Sequence, residues 1–285
     1  PVAGELPQKI SDFAASASSP VWLPDGHQLV VSVERSDQVQ LLLTDRDGRW
    51  PRQIVQTPGD AWDAKPSPDG RFLLFPLRPF DDTNRLDIWL VELETGQLRE
   101  LTHTPKLRSW GGVWSPDGQQ IAFISQRPEF NEVWLVRPDG SGLHQLSHEG
   151  ADFADLAWSP DGSRIACTIN RQGAYELALL DAQSGQVQTL RAGNGVHALP
   201  NWSPDGRFLT VEYEDPILPA DLYRVAGGGG RSTPLNFSYP PPPAANPPAV
   251  APKLRWAGDS RLFVPPGQVQ RGGGGLSARR AIVAV

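Results

Sequence analysis

A serine hydrolase presents its nucleophile on a tight elbow, usually Gly-x-Ser-x-Gly, so that the hydroxyl stands beside oxyanion donors and within reach of a histidine. No such pentapeptide occurs in these 285 residues. The nearest Gly/Ser cluster, Gly140-Ser141-Gly142, follows Asp139, and an Asp-Gly turn between two strands accounts for it. His144 and His148 have the spacing of a zinc pair on a helix, but Gln145-Leu146-Ser147 between them reads as a strand end, where that spacing does not gather two rings. Loop or surface positions are expected for these two and for His27, His103 and His197. Asp45-Arg46-Asp47-Gly48 opens like a calcium loop, yet no bidentate glutamate follows, and Asp-Gly between strands is an ordinary hairpin turn. The chain is therefore read as having no catalytic residue, no metal site and no cofactor of its own.

Recognition chemistry is better represented. Arginine and aromatic side chains dominate protein and peptide contacts. Residues 34–39, 78–85, 126–132, 170–175 and 212–221 read as loops between apolar runs, and they offer Arg78, Phe80, Arg127 and Phe130 as candidate contact residues. Solvated loop positions are the competing reading. Trp62 and Trp110 could face a ligand, with packing as their default role. The run 240–243 of four prolines reads as a stiff spacer rather than a polyproline ligand.

A repeat positions these residues. Trp-Ser-Pro-Asp-Gly occurs intact at 114–118, 158–162 and 202–206, with near copies at 22–26 and 66–70 and a degenerate one at 256–260. Its Asp residues, Asp25, Asp69, Asp117, Asp161, Asp205 and Asp259, step by 44, 48, 44, 44 and 54. A unit of that length holds four short strands. In the copy around Asp161 the pattern predicts strands at 153–158, 164–169, 175–181 and 186–190. Proline presets φ, Asp bonds its own backbone and Gly accepts positive φ, so the motif is a hairpin turn and its Asp residues are no carboxylate set. Four-stranded meanders repeated radially make an all-β fold, a β-propeller of four-stranded blades, six by this count within a range of five to seven.

Composition agrees. The 39% apolar residues suffice for a continuous core, and 26 Lys and Arg against 32 Asp and Glu leave a charge of -6 with no basic cluster, which disfavours nucleic acid. No run is long enough for a membrane helix and none opens the chain as a signal sequence, so a soluble chain with no membrane partner is expected. With Cys167 as its one cysteine the chain forms no internal disulfide, which fits a cytoplasmic setting, the alternative being a periplasmic or secreted protein whose leader was removed. The lack of any Met suggests a processed form or an excised piece.

Trp-Ser-Pro-Asp-Gly followed by an alternating strand, with an Asp-x-x-x-Gly turn some 20 residues on, resembles the WD-like repeat of TolB-type propellers and of the non-catalytic domain of prolyl oligopeptidase family serine peptidases, over residues 21–237. The segments 221–225, 233–236 and 250–256 resemble the exit from the propeller in acylaminoacyl-peptidase-like members. Arg280-Ala281-Ile282-Val283-Ala284-Val285 is similar to the strand that runs there into a His-Gly-Gly oxyanion loop. Glycine runs at 227–230 and 272–275 depart from that pattern, as does the proline run. The resemblance implies propeller repeats over 1–238, a Pro-rich linker over 239–252, and over 253–285 a degenerate last repeat or the start of a hydrolase domain. It further implies a non-catalytic domain that gates short peptides on their way to an α/β-hydrolase domain outside this chain, with Arg78, Phe80, Arg127 and Phe130 as candidate contacts to the peptide substrate, or, alternatively, a TolB-like scaffold that binds a protein partner.

Overall fold

The computed structural model describes residues 15–104, 107–171, 173–191, 196–214, 221–228, 233–235, 255–257 and 261–263. Each repeat forms its own antiparallel meander. The first sheet is β1 (Ala17–Trp22), β2 (Gln28–Arg35), β3 (Gln38–Asp45) and β4 (Arg52–Gln53). In the second, β5 (Gly59–Ala61) and β6 (Lys65–Pro66) share the first-strand position against β7 (Phe72–Pro79), followed by β8 (Asp87–Glu92) and β9 (Leu98–Glu100). The third holds β10 (Ser109–Trp114), β11 (Ile121–Gln126), β12 (Asn131–Val136) and β13 (His144–Gln145). The fourth holds β14 (Asp152–Trp158), β15 (Arg164–Arg171), β16 (Ala174–Asp181) and β17 (Val187–Arg191), within two residues of the predicted boundaries. The fifth holds β18 (Val196–Trp202), β19 (Phe208–Glu214), β20 (Asp221–Ala226) and β21 (Thr233–Pro234). A two-stranded sheet, β22 (Arg255–Ala257) and β23 (Arg261–Phe263), coincides with the degenerate Trp256 repeat. The proline run, the two glycine runs beyond Gly228 and the 280–285 strand lie outside the described residues.

The core lies between sheets. Val30 and Leu41 meet Leu73 and Phe75 of the second sheet. Leu74 and Ile88 meet Ile121 and Phe123 of the third. Ile124 and Val133 meet Phe153 and Ile165 of the fourth, and Ala166 and Leu179 meet Leu209 and Val211 of the fifth. A second strand therefore buries both of its faces, which is why Phe72-Leu73-Leu74-Phe75 is continuously apolar instead of alternating.

The motif residues each have a structural task. Ser67, Ser115, Ser159 and Ser203 are buried; each hydroxyl donates to the motif Asp at 2.6 Å and accepts an N–H from Phe72, Gln120, Arg164 or Phe208. The same Asp oxygen accepts the N–H two residues on, as Asp117 does from Gln119 at 3.0 Å. The indole N–H of Trp114, Trp158 and Trp202 donates to Lys65, Val113 and Ala157 of the preceding sheet. Trp22, in the first sheet, has no preceding sheet among the described residues and is 47% exposed.

Each first strand also carries a bulge. Register shifts fall between Ser18 and Val21, Trp110 and Val113, Ala154 and Ala157, and Ala198 and Asn201, and in the second sheet the break between β5 and β6 takes the same place. At each stands a residue of positive φ, Ser19, Asp63, Gly111, Asp155 and Leu199, six positions before the motif Asp. The neighbouring sheet supports two of them: Asp63 N–H donates to Ser32 Oγ and Leu199 N–H to Asp155 Oδ2, both at 3.2 Å.

Candidate binding face

In an antiparallel meander the Trp-Ser-Pro-Asp-Gly hairpins and the turns between third and fourth strands share one end of the blades. The loops between second and third strands share the other end with the connections from sheet to sheet. The motif end is consumed by structure from the second sheet on, while Trp22 and Trp50 of the first sheet stand exposed there. A side chain on Gly70, Gly118, Gly162 or Gly206 would meet Pro24, Pro68, Pro116 or Pro160 of the preceding turn at 3.4 to 3.8 Å, so consecutive turns lie against one another. Asp45 likewise spends an oxygen on its own hairpin, accepting from Asp47 and Arg49 N–H. Gly140, at φ 86°, completes a turn closed on Arg137 O, which explains the cluster around Ser141 without a nucleophile.

The opposite end holds the four sequence candidates, in two pairs on adjacent blades. Arg78 sits within β7 rather than in a loop, because the strand runs on to Pro79. Its guanidinium donates to Asp60 Oδ2 at 2.8 Å and lies 5.7 Å from the Trp62 ring, while Asp60 Oδ1 accepts Val39 N–H from the first sheet. Arg78 thus has a joint-forming role that its sequence position does not announce. Phe80, just beyond, is 49% exposed with no side-chain hydrogen bond to make. Arg127 lays its guanidinium on Trp134 at 4.0 Å and its N–H bonds Phe130 O, closing a tight loop from which Phe130 projects 37% exposed. The Phe130 ring lies over Gly150 of the next connection. Tyr175, 37% exposed at the start of β16, extends the aromatic series to the fourth blade.

Beneath these loops lie buried carboxylates. Asp87 is fully buried, accepts from Arg85 and from Thr102 Oγ1, and Thr102 Oγ1 accepts Ile88 N–H. Glu132 repeats the device one blade on: it accepts from Ser147 Oγ and Gly150 N–H, and Ser147 Oγ accepts Val133 N–H. Both tie the start of a third strand to the connection leading to the next blade. Burial raises Asp87 above the ordinary carboxylate value, against the pull of Thr102 and Arg85. Sequence reading passed over both latches, since a lone Asp or Glu beside a strand start looks like any solvated position.

Histidine expectations hold for His27, His103, His144 and His148 and fail for His197. His197 is buried on β18, with Nδ1 3.1 Å from Tyr175 O in the preceding blade and its ring 4.8 Å from Tyr213. The inward pleat of a first strand, invisible in a Val-His-Ala sequence, puts it there. Trp62 and Trp110 are partly covered, Trp110 against the core between third and fourth sheets. Cys167 is buried in that core, and burial pushes its thiol up to about 12, so it is inert at neutral pH. Among the described residues no group of three His, Cys, Asp or Glu could hold a metal ion, and no helix is long and apolar enough to cross a membrane.

Comparison with known proteins agrees with this architecture. Residues 77–209 match the family model described as the TolB beta propeller domain. The Tol-Pal system protein TolB of Anaeromyxobacter dehalogenans is 31% identical over 100 residues, which are 35% of this chain and 20% of that protein, so the match spans about a fifth of the curated relative. Among solved structures, TolB from Acinetobacter baumannii superposes with a TM-score of 0.62 at 21% identity, covering 80% of this chain and 56% of that one. A Mycobacterium tuberculosis puromycin-hydrolyzing peptidase superposes at 0.67 with 18% identity, covering 78% and 38%. At such identities the likeness establishes the fold. Residues 77–209 therefore lie in a TolB-type β-propeller domain, and the described sheets on either side of them repeat its four-stranded meander.

Proposed function

We propose that this chain is a non-catalytic recognition propeller that receives a peptide or protein segment on the loop face bearing Phe80, Phe130 and Tyr175. The observation that carries this reading is the asymmetry of the two ends. At the motif end the exposed rings, Trp22 and Trp50, both belong to the first sheet and the turns from the second sheet on pack Gly against Pro, whereas the other end presents one exposed aromatic ring from each of three successive blades beside arginines. Arg78 and Arg127 serve that face differently, the first by building it and the second by remaining open to a ligand.

Two partners fit. The resemblance of the fold to the peptidase propellers supports a domain that screens short peptides for an α/β-hydrolase domain, with the chemistry carried there. The sequence likeness to TolB supports a scaffold that binds another protein, and with it a location outside the cytoplasm. A panel of acetylated short peptides titrated into 15N-labelled chain tests the shared part of both readings. Amide shifts gathered at 80–86, 127–130 and 173–175 are expected. Shifts confined to the motif turns, or none at all, would overturn the assignment. Hydrolysis of the same peptides by the purified chain would remove the claim that it is non-catalytic.

A further inference from the structure

Four arginines stand at the second-to-third-strand ends of the second, third and fourth blades, and three of them are neutralised. Arg78 pairs with Asp60, Arg85 with Asp87 and Glu100, and Arg171 with Glu149 and Glu176. Arg108, just before β10, donates Nε to Asn84 O. Arg127 differs. Its guanidinium has no carboxylate or carbonyl partner among the described residues, Glu129 in the same loop included; the Trp134 ring covers one of its faces. Burial pulls at Arg85 and Arg171 too, but their carboxylates overcome it and raise both, while at Arg127 burial acts alone and lowers the group. A partly buried guanidinium that no protein carboxylate or carbonyl engages, with an indole against one face, keeps its planar fork open for a bidentate acceptor.

We propose that Arg127 is a carboxylate receptor: stacked on Trp134 and flanked by Phe130, it takes the carboxylate of a ligand on the loop face. The inference rests on the loop-face reading above and adds the chemistry the ligand must carry. A C-terminal carboxylate and an Asp or Glu side chain offer the same two oxygens, with Phe130 placed for an apolar group beside them. The ion pair forms in a partly desolvated setting, so the anion contributes affinity that a neutral isostere does not.

The test follows the Arg127 Nε–H resonance, assigned by its loss in Arg127→Gln, in the full chain. Three probes are titrated: N-acetylphenylalanine, its amide, and N-acetylglutamate α-amide. A saturable shift with either carboxylate and none with the phenylalanine amide is expected, with roughly tenfold or greater weakening in Arg127→Gln as judged from loop amides. Which carboxylate binds more tightly distinguishes terminus from side chain. An unmoved Nε signal with both acids, or an equal response to the amide, overturns the receptor. If peptides still shift the loop amides in that case, the loop-face reading stands alone; if they do not, both fall. Circular dichroism of Arg127→Gln matching the parent keeps a folding defect from imitating the loss.

Discussion

Trp202 Nε1 donates to Ala157 O across the joint between fourth and fifth blades at 3.1 Å, the third instance of one contact repeated along the chain. Trp202→Phe keeps most of the buried ring but removes the donor. It should cost about 1 to 2 kcal/mol in urea unfolding, whereas Trp22→Phe, which disturbs no such joint, should stay within about 0.5 kcal/mol. Equal losses at both sites would refute the joint.

Asp87 is fully buried beside Arg85. Arg85→Met leaves that carboxylate uncompensated and should destabilise by about 3 to 5 kcal/mol, with the double variant Arg85→Met, Asp87→Asn recovering most of it. A double variant as weak as the single one would show that the pair matters only through packing. Because the Asp87 value in the fold is raised, its own contribution to stability declines as pH rises from near 3.8 through that higher value.

Acid should act in the opposite sense through the motif turns. Serine hydroxyls hold Asp69, Asp117, Asp161 and Asp205 below the ordinary 3.8, Asp161 at about 2. A depressed value in the fold means a contribution that is complete above about 3.8 and disappears as pH falls toward about 2. The thermal midpoint should drop across that window, and Asp161→Asn should make the drop shallower. Parallel slopes for the two proteins would contradict the assignment.

Gly185 and Gly173 separate backbone strain from collision. Gly185 sits at φ 71°, and a Cβ there would meet Leu146 O of the preceding blade at 2.0 Å, while Gly173, at φ 91°, has nothing within 4 Å. Gly173→Ala should cost about 1 to 2 kcal/mol and Gly185→Ala clearly more, read as denaturation midpoints. Indistinguishable midpoints would mean that the two blades are not in contact there.

Phe80→Ser and Phe130→Ser remove exposed rings, so each should leave stability within about 0.5 kcal/mol. Peptide-induced shifts on the loop face should weaken in both. A variant that unfolds instead would assign its ring to the fold.

Sequence alone determined the repeat, its four-strand parsing and the hairpin chemistry of Trp-Ser-Pro-Asp-Gly, because turn residues and apolar runs act over a few neighbours and leave local marks. It also marked Arg78, Phe80, Arg127 and Phe130 as the side chains near one end. Tertiary structure decided what each does. Whether an arginine is a strut or an open cation depends on what the adjacent strand or blade places beside it: Asp60 meets Arg78, and among the described residues an indole but no carboxylate meets Arg127. The positive φ of Ser19, Asp63, Asp155 and Leu199 belongs to the same class, since no glycine or turn signature marks it and a bulge is held there by pairing with the second strand and, at Asp63 and Leu199, by bonds from the neighbouring sheet. Contacts between units some 44 residues apart are made by the radial stacking of sheets, and a stretch of sequence carries no record of which face it will turn to its neighbour.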